Sequence, residues 1–220
     1  MTIEVFWGSG SPYSWRVLLA LEFKRLRYES HLLELSNQEH RSPEMLKLNP
    51  RGRVPVLKEG DYVCHESLAI LSYLDRQYPE RPLFGTTPFE AGNIMRIICE
   101  YQVYAEEHLN RIISAIFFGQ LEARQEQVAQ SLEVVIHEAR SIERRLAQHE
   151  WLASADCSAA DIMIFPAIKI LQRALARREA DELQTPFEPL ESNFPAIAAW
   201  LRRIESLPGY ERTYPPHWRA

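Results

Sequence analysis

The sequence predicts two structural classes in succession: an α/β unit built on a small mixed sheet over residues 1–80, and an all-α helical bundle over residues 88–220, joined by a linker at 81–87. Three observations carry this reading. Up to residue 80, short apolar runs alternate with amphipathic segments. Proline and glycine then cluster in Pro79-Glu80-Arg81-Pro82 and Gly85-Thr86-Thr87-Pro88. From Phe89 to Leu207 the apolar residues recur at helical spacing.

The elements follow in order. Residues 3–7 (Ile-Glu-Val-Phe-Trp) read as a strand, and Trp15 to Leu21 begin the apolar pattern of a helix over 12–26. Ser11-Pro12 suits the start of that helix, because proline lacks the N–H that a first turn leaves unpaired and disfavours helical backbone in the residue before it. Further strands are expected at 28–34, 55–58 and 61–64, and further helices at 43–48 and 66–78. Glu59-Gly60-Asp61 reads as a tight hairpin turn. The order is β-α-β-α-β-β-α. A helix between the first two strands implies a parallel crossover and the hairpin an antiparallel pair, hence a mixed sheet.

In the second unit Val128, Leu132, Val135, Ala139, Ile142 and Leu146 alternate at spacings of four and three, which is one apolar face of a helix about twenty residues long. Ser158 and Asp161 stand at capping-box spacing ahead of Ile162-Met163-Ile164-Phe165. A last helix runs from Phe194-Pro195 to Leu207 and stops at Pro208-Gly209. Tyr214-Pro215-Pro216-His217-Trp218 reads as an extended aromatic tail packed on the body.

Composition narrows the function. With 220 residues, 46% of them hydrophobic, each unit has material for its own core. The net charge of −5 and the lack of a long basic block argue against nucleic acid or an anionic membrane as partner, and the arginines between Arg173 and Arg178 read as a solvated helix end. Cys64, Cys99 and Cys157 are odd in number and form no C-x-x-C, which argues against a disulfide framework and a metal site. The N-terminus has no targeting pattern and no run has membrane-spanning length, so the expected compartment is the cytoplasm.

Chemistry concentrates in Ser11-Pro12-Tyr13-Ser14. A hydroxyl at a helix N-terminus beyond a strand end can donate outward to an anion, with unpaired amides and the positive end of the helix dipole beside it. Three further segments meet the same sheet edge: Asn49-Pro50-Arg51-Gly52-Arg53-Val54-Pro55-Val56-Leu57 entering the third strand, Glu66-Ser67 opening the third helix, and His40 ahead of the second.

With these motifs in this order, the chain resembles a cytosolic glutathione S-transferase along essentially its whole length. Ser-Pro-x-Ser, Asn-Pro-x-x-x-Val-Pro-x-Leu, Glu-Ser-x-Ala-Ile and Ser-x-x-Asp carry the likeness. It implies a thioredoxin-like N-terminal domain, glutathione as cosubstrate, no metal, a hydrophobic electrophile as second substrate, and a homodimer. The first motif is similar to that of the serine-type theta and zeta branches, with Phe6 and Trp7 in the strand where tyrosine-type members carry their tyrosine.

The resemblance also implies roles. Ser11 donates to the glutathione sulfur, with Ser14 as the alternative and Ser9 a third choice. Val54-Pro55 matches the family's cis-proline turn, whose isomer the sequence does not reveal. Glu66 and Ser67 match the pair holding the γ-glutamyl end. His40 and Arg53 match positions facing the glycyl carboxylate, where Gln38 or Arg41 could substitute. Trp7, Tyr13, Tyr104 and His108, with Arg111 and Phe117, are the candidates for the electrophile pocket. Arg53 stands where Lys or Gln is common, and Tyr13 where zeta-like enzymes carry cysteine, which counts against maleylacetoacetate-type isomerisation. Other functions on this fold are a glutathione-dependent disulfide or peroxide reductase or isomerase, and a non-catalytic binding or regulatory protein. Exchange through a protein thiol is excluded, since the active-site slot has no cysteine.

Overall fold

The computed structural model describes residues 2–180 and 183–219. The chain divides into two compact units, Met1–Phe84 with Ser206–Ala220, and Gly85–Glu205.

The first unit holds a four-stranded sheet among its described residues, in the order β2-β1-β3-β4. Strands β1 (Ile3–Gly8) and β2 (Tyr28–Leu33) are parallel across helix α1 (Pro12–Phe23). Strand β3 (Val56–Glu59) runs antiparallel to both β1 and β4 (Tyr62–His65). The mixed sheet is therefore the one the crossover and hairpin arguments predict, with Gly60 at φ +61° in the turn. Along β1, Ile3, Val5 and Trp7 are buried while Glu4 and Phe6 are half-buried, the period of two that turns one face to the core. On the other face Lys58 Nζ lies 2.6 Å from Glu4 Oε1, and the Phe6 ring stacks on His31 at 4.6 Å.

Helix α1 is buried from Ser14 through Glu22 and ends at Phe23, three residues before the predicted boundary, with Lys24 as its C-cap. Burial pulls the Lys24 ammonium below its ordinary pKa, against the opposing pull of Asp75 and Glu80. A 3₁₀ turn at Glu39–Arg41, helix α2 (Pro43–Leu48) and helix α3 (Ser67–Gln77) also belong to the sheet unit.

Residues 206–220 correct the sequence reading twice. They group with the sheet unit instead of the helical one. Of 214–218, read as extended, Tyr214 keeps extended backbone but Pro216–Trp218 forms a 3₁₀ turn, after a short helix at Tyr210–Thr213. Trp15 of α1 anchors them, donating from Nε1 to Thr213 Oγ1 at 2.9 Å and meeting the Tyr214 and Trp218 rings edge-on at 5.9 and 5.3 Å. A turn of α1 that puts tryptophan on its outer side needs such a cover.

The second unit is helical. Helices α4 (Pro88–Glu100) and α5 (Glu106–Phe117) are joined by one π-helical turn, Tyr101–Ala105. They are followed by α6 (Gln125–Leu146), α7 (Ala159–Leu175), the short α8 (Leu190–Asn193) and α9 (Pro195–Glu205). Of the stripe predicted on α6, Val128, Val135, Ala139 and Leu146 are buried and Leu132 and Ile142 half-buried. Helix α7 is buried on all sides from Ala159 to Ile168, so it forms the core of this unit. Cys64, Cys99 and Cys157 are free, and burial drives the Cys157 thiol well above its ordinary pKa. No helix among the described residues is long and apolar enough to cross a membrane.

Candidate functional site

One cavity of about 420 Å³ lies wholly within the sheet unit, and the four motif segments converge on it. Its lining includes Ser11, Tyr13, His40, Arg53, Val54, Pro55, Glu66 and Ser67. Ser14, Ser9 and Gln38 are not part of it, whereas Arg41 is.

Ser11 caps α1 with extended backbone, φ −72° and ψ 118°, and its Oγ accepts the Ser14 N–H at 3.2 Å. A hydroxyl that accepts one hydrogen bond keeps its own proton to donate, so Ser11 can serve the helix and an anion together. Ser14 is fully buried, and its Oγ accepts the Gly8 N–H at 3.3 Å. It clasps the helix start to the strand end. Tyr13 lies under the guanidinium of Arg16 at 4.7 Å, and buried Arg16 also donates to Ser67 Oγ at 3.4 Å.

The loop into β3 is shaped by Asn49, a residue whose role the sequence reading missed. It is almost fully buried, donates from Nδ2 to the Arg53 carbonyl at 2.8 Å, and accepts the Arg51 N–H at 3.1 Å. Asparagine before proline was the available signal, since such a side chain closes a turn on its own loop. The Val54-Pro55 peptide that follows is cis.

Glu66 holds φ +70° and ψ 114°, a conformation rare for a residue with a β-carbon. Such strain gathers where the surroundings need a particular direction of side chain or backbone. Glu66 makes no side-chain cap on α3, which leaves the first amides of that helix open beside Ser67. Its carboxylate is two-thirds exposed and lies 3.9 Å from Arg51 Nε and 3.7 Å from His65 Nδ1. His40 contributes a buried Nδ1 with no hydrogen-bond partner among the described residues.

The remaining predicted residues lie elsewhere. Trp7 is not in the lining: its Nε1 donates to Ser30 Oγ at 2.8 Å within the sheet. Tyr104, His108, Arg111 and Phe117 belong to the helical unit. There Tyr104 is exposed, His108 Nδ1 shares a 3.2 Å hydrogen bond with Ser131, Arg111 pairs with Glu107 and the Phe117 ring sits under Arg177.

Chemically, the cavity offers a hydroxyl donor, two helix N-termini, the guanidiniums of Arg41 and Arg53, and the carboxylate of Glu66. That set suits a small ligand with anionic groups and one cationic group.

Comparison with known proteins gives the same emphasis. The model of the glutathione S-transferase N-terminal domain matches residues 10–77, and that of the C-terminal domain matches residues 119–203. Glutathione S-transferase A of Pleuronectes platessa is 29% identical over 98% of this chain and 92% of its own length. A zeta-class glutathione S-transferase of Euphorbia esula is 47% identical over 73 residues, 33% of this chain and 32% of its own. The crystal structure of a glutathione S-transferase from the Antarctic clam Laternula elliptica superposes with a TM-score of 0.82 at 28% identity, covering 100% of this chain and 94% of that one.

Proposed function

Since the chain belongs to the glutathione S-transferase family, and is an enzyme of that class with glutathione as its cosubstrate, we propose that it conjugates glutathione to a hydrophobic electrophile by a serine-type mechanism. The observation that carries this reading is the convergence of Ser11, the cis Val54-Pro55 turn and the Glu66-Ser67 helix start on one cavity.

Glutathione enters as a peptide with two carboxylates, one ammonium and a thiol. Its γ-glutamyl end is read by Glu66, which takes the ammonium, and by Ser67 with the open amides of α3, which take the carboxylate. The backbone of Val54 pairs with the cysteinyl part. His40 and Arg53, with Arg41 beside them, take the glycyl carboxylate. This leaves the sulfur to Ser11.

A free thiol titrates near 8.5, so only a few per cent is ionised at neutral pH. Lowering that value by about two units requires about 2.7 kcal/mol of preference for the anion. One charge-assisted hydrogen bond supplies about 1.5–3 kcal/mol and the helix dipole about 0.3–1. Ser11 at the start of α1 can meet the need without a general base, and the thiolate then attacks the electrophilic carbon. Retention on glutathione resin, thiolate absorbance of the complex and turnover of an aromatic halide test the reading. A protein that binds glutathione without ionising it would overturn it.

The two ends can be tested apart. Glu66→Gln is expected to weaken glutathione while sparing analogues that lack the γ-glutamyl amine. Arg53→Ala should matter only for ligands with a glycyl carboxylate, and equal losses for both analogue types would mean that the peptide lies the other way round.

We assign the chain to the serine-type theta- and zeta-like branch on Ser11, and to the cytoplasm on its free cysteines. We further expect a two-fold homodimer. Phe89 is 87% exposed on α4, and Val103 and Tyr104 are 68% and 57% exposed on the π-helical turn, apolar area that a partner would cover. Arg96 and Glu100 pair with each other along α4 and need no partner. Sedimentation at micromolar concentration should give twice the chain mass; a species at the single-chain mass would refute the dimer.

A further inference from the structure

The turn Ser9-Gly10, immediately before Ser11, is held from outside the motif. His217 Nδ1 and Ser9 Oγ share a hydrogen bond of 2.5 Å, bridging 208 positions of sequence. The same imidazole lies against the next residue. A β-carbon added at Gly10 would come within 2.8 Å of His217 Cε1, so the imidazole would have to shift, and Gly10 stands at φ +79°, a backbone conformation that glycine takes without strain. Trp218 then fixes the imidazole's place in the chain by packing edge-on against Trp15.

Ser11 is thus gripped from two sides. On the helix side, its Oγ accepts from Ser14 N–H, and its N–H donates to the Gly8 carbonyl at 3.2 Å. On the outer side, the tail reaches the two preceding residues through the exposed Ser9–His217 hydrogen bond and the His217 ring beside Gly10. A charge-assisted hydrogen bond to sulfur loses strength steeply with misdirection, so a small rotation in this loop is felt at the reacting atom.

We propose that His217 is a positioning residue for Ser11, acting through Ser9 and Gly10 to aim the hydroxyl at the glutathione sulfur. The inference rests on the assignment of Ser11 above. It makes the C-terminal segment part of the catalytic apparatus, although His217 is not among the residues that line the Ser11 cavity.

The test uses the full chain with three substitutions: His217→Ala, His217→Asn and Ser9→Ala. In His217→Ala the bound thiol should titrate higher and kcat should fall by at least about threefold, with KM for glutathione nearly unchanged. His217→Asn, which can place a polar atom near the position of Nδ1, should restore most of both. Ser9→Ala should reproduce the loss, and the double variant should be no worse than either single one. Unchanged thiol titration and kcat in folded His217→Ala would overturn the proposal, as would a loss confined to KM or additive losses in the double variant. Should His217→Ala fail to fold, Ser9→Ala against wild type decides from the other end of the bond. Wild-type protein that binds glutathione without ionising it would instead refute the assignment of Ser11.

Discussion

Ser11→Ala is expected to lower turnover by about a hundredfold, the equivalent of the roughly 2.7 kcal/mol that a two-unit shift in thiol pKa represents. Glutathione affinity should stay within a few-fold of wild type, because binding is spread over the Val54, Glu66-Ser67 and His40/Arg53 contacts while the hydroxyl acts on sulfur alone. The direct readout is thiolate absorbance of the complex against pH, which should move toward the value of free thiol. The substitution also removes the cap on the Ser14 N–H, at a cost of about 1 kcal/mol of stability. Thermal unfolding separates that cost from the catalytic one. Ser14→Ala gives the opposite pattern: it leaves the buried Gly8 N–H without its acceptor, so stability falls while the thiol titration holds. If Ser14→Ala shifts the thiol and Ser11→Ala does not, the roles of the two serines must be exchanged.

The sequence made the sheet legible for a definite reason. A helix between β1 and β2 implies a parallel crossover, and a tight turn at Glu59-Gly60-Asp61 an antiparallel pair, so both pairs could be read from the residues, whereas the antiparallel β1–β3 pairing that joins them into one sheet could not. The cap at Ser11 and the box at Ser158 were legible because their chemistry is local. What was not legible depends on contacts distant in sequence. Nothing near Trp7 in the sequence reveals that Ser30 takes its indole N–H. The tail read as extended because its fold is imposed by Trp15, some two hundred residues earlier. Glu66 showed no sign of its positive φ, since glycine and not glutamate marks such positions in a sequence. Asn49 was read only as the start of a motif, although its side chain ties Arg51 and Arg53 into the loop that ends at the cis-proline.

The largest loss of stability is expected from Asp161→Ala, in the helical unit. Asp161 is fully buried and both of its oxygens are in use. Oδ1 accepts from the Leu152 N–H at 3.0 Å and from Trp200 Nε1 at 2.9 Å; Oδ2 accepts from the Ser158 N–H at 2.9 Å and from Ser158 Oγ at 2.8 Å. One carboxylate therefore starts α7, fastens the 151–158 loop, and orients the fully buried indole of α9. Burial pushes the carboxyl above its ordinary pKa, and the four donors oppose that shift. Alanine would leave those donors unpaired in the interior, at about 1–3 kcal/mol for each that cannot relax. A total of about 3–5 kcal/mol is expected, as for other broken buried charge networks. Asp161→Asn keeps the shape and one acceptor oxygen but turns an amide donor toward one pair of N–H or O–H groups, so it should recover only part of the loss. Trp200→Phe removes a single donor and should cost much less than Asp161→Ala, which sets the network apart from a simple packing defect. Urea unfolding followed by tryptophan fluorescence measures all three. A midpoint for Asp161→Ala within the error of wild type would show that the box is dispensable and that packing of α7 alone holds the helical unit together.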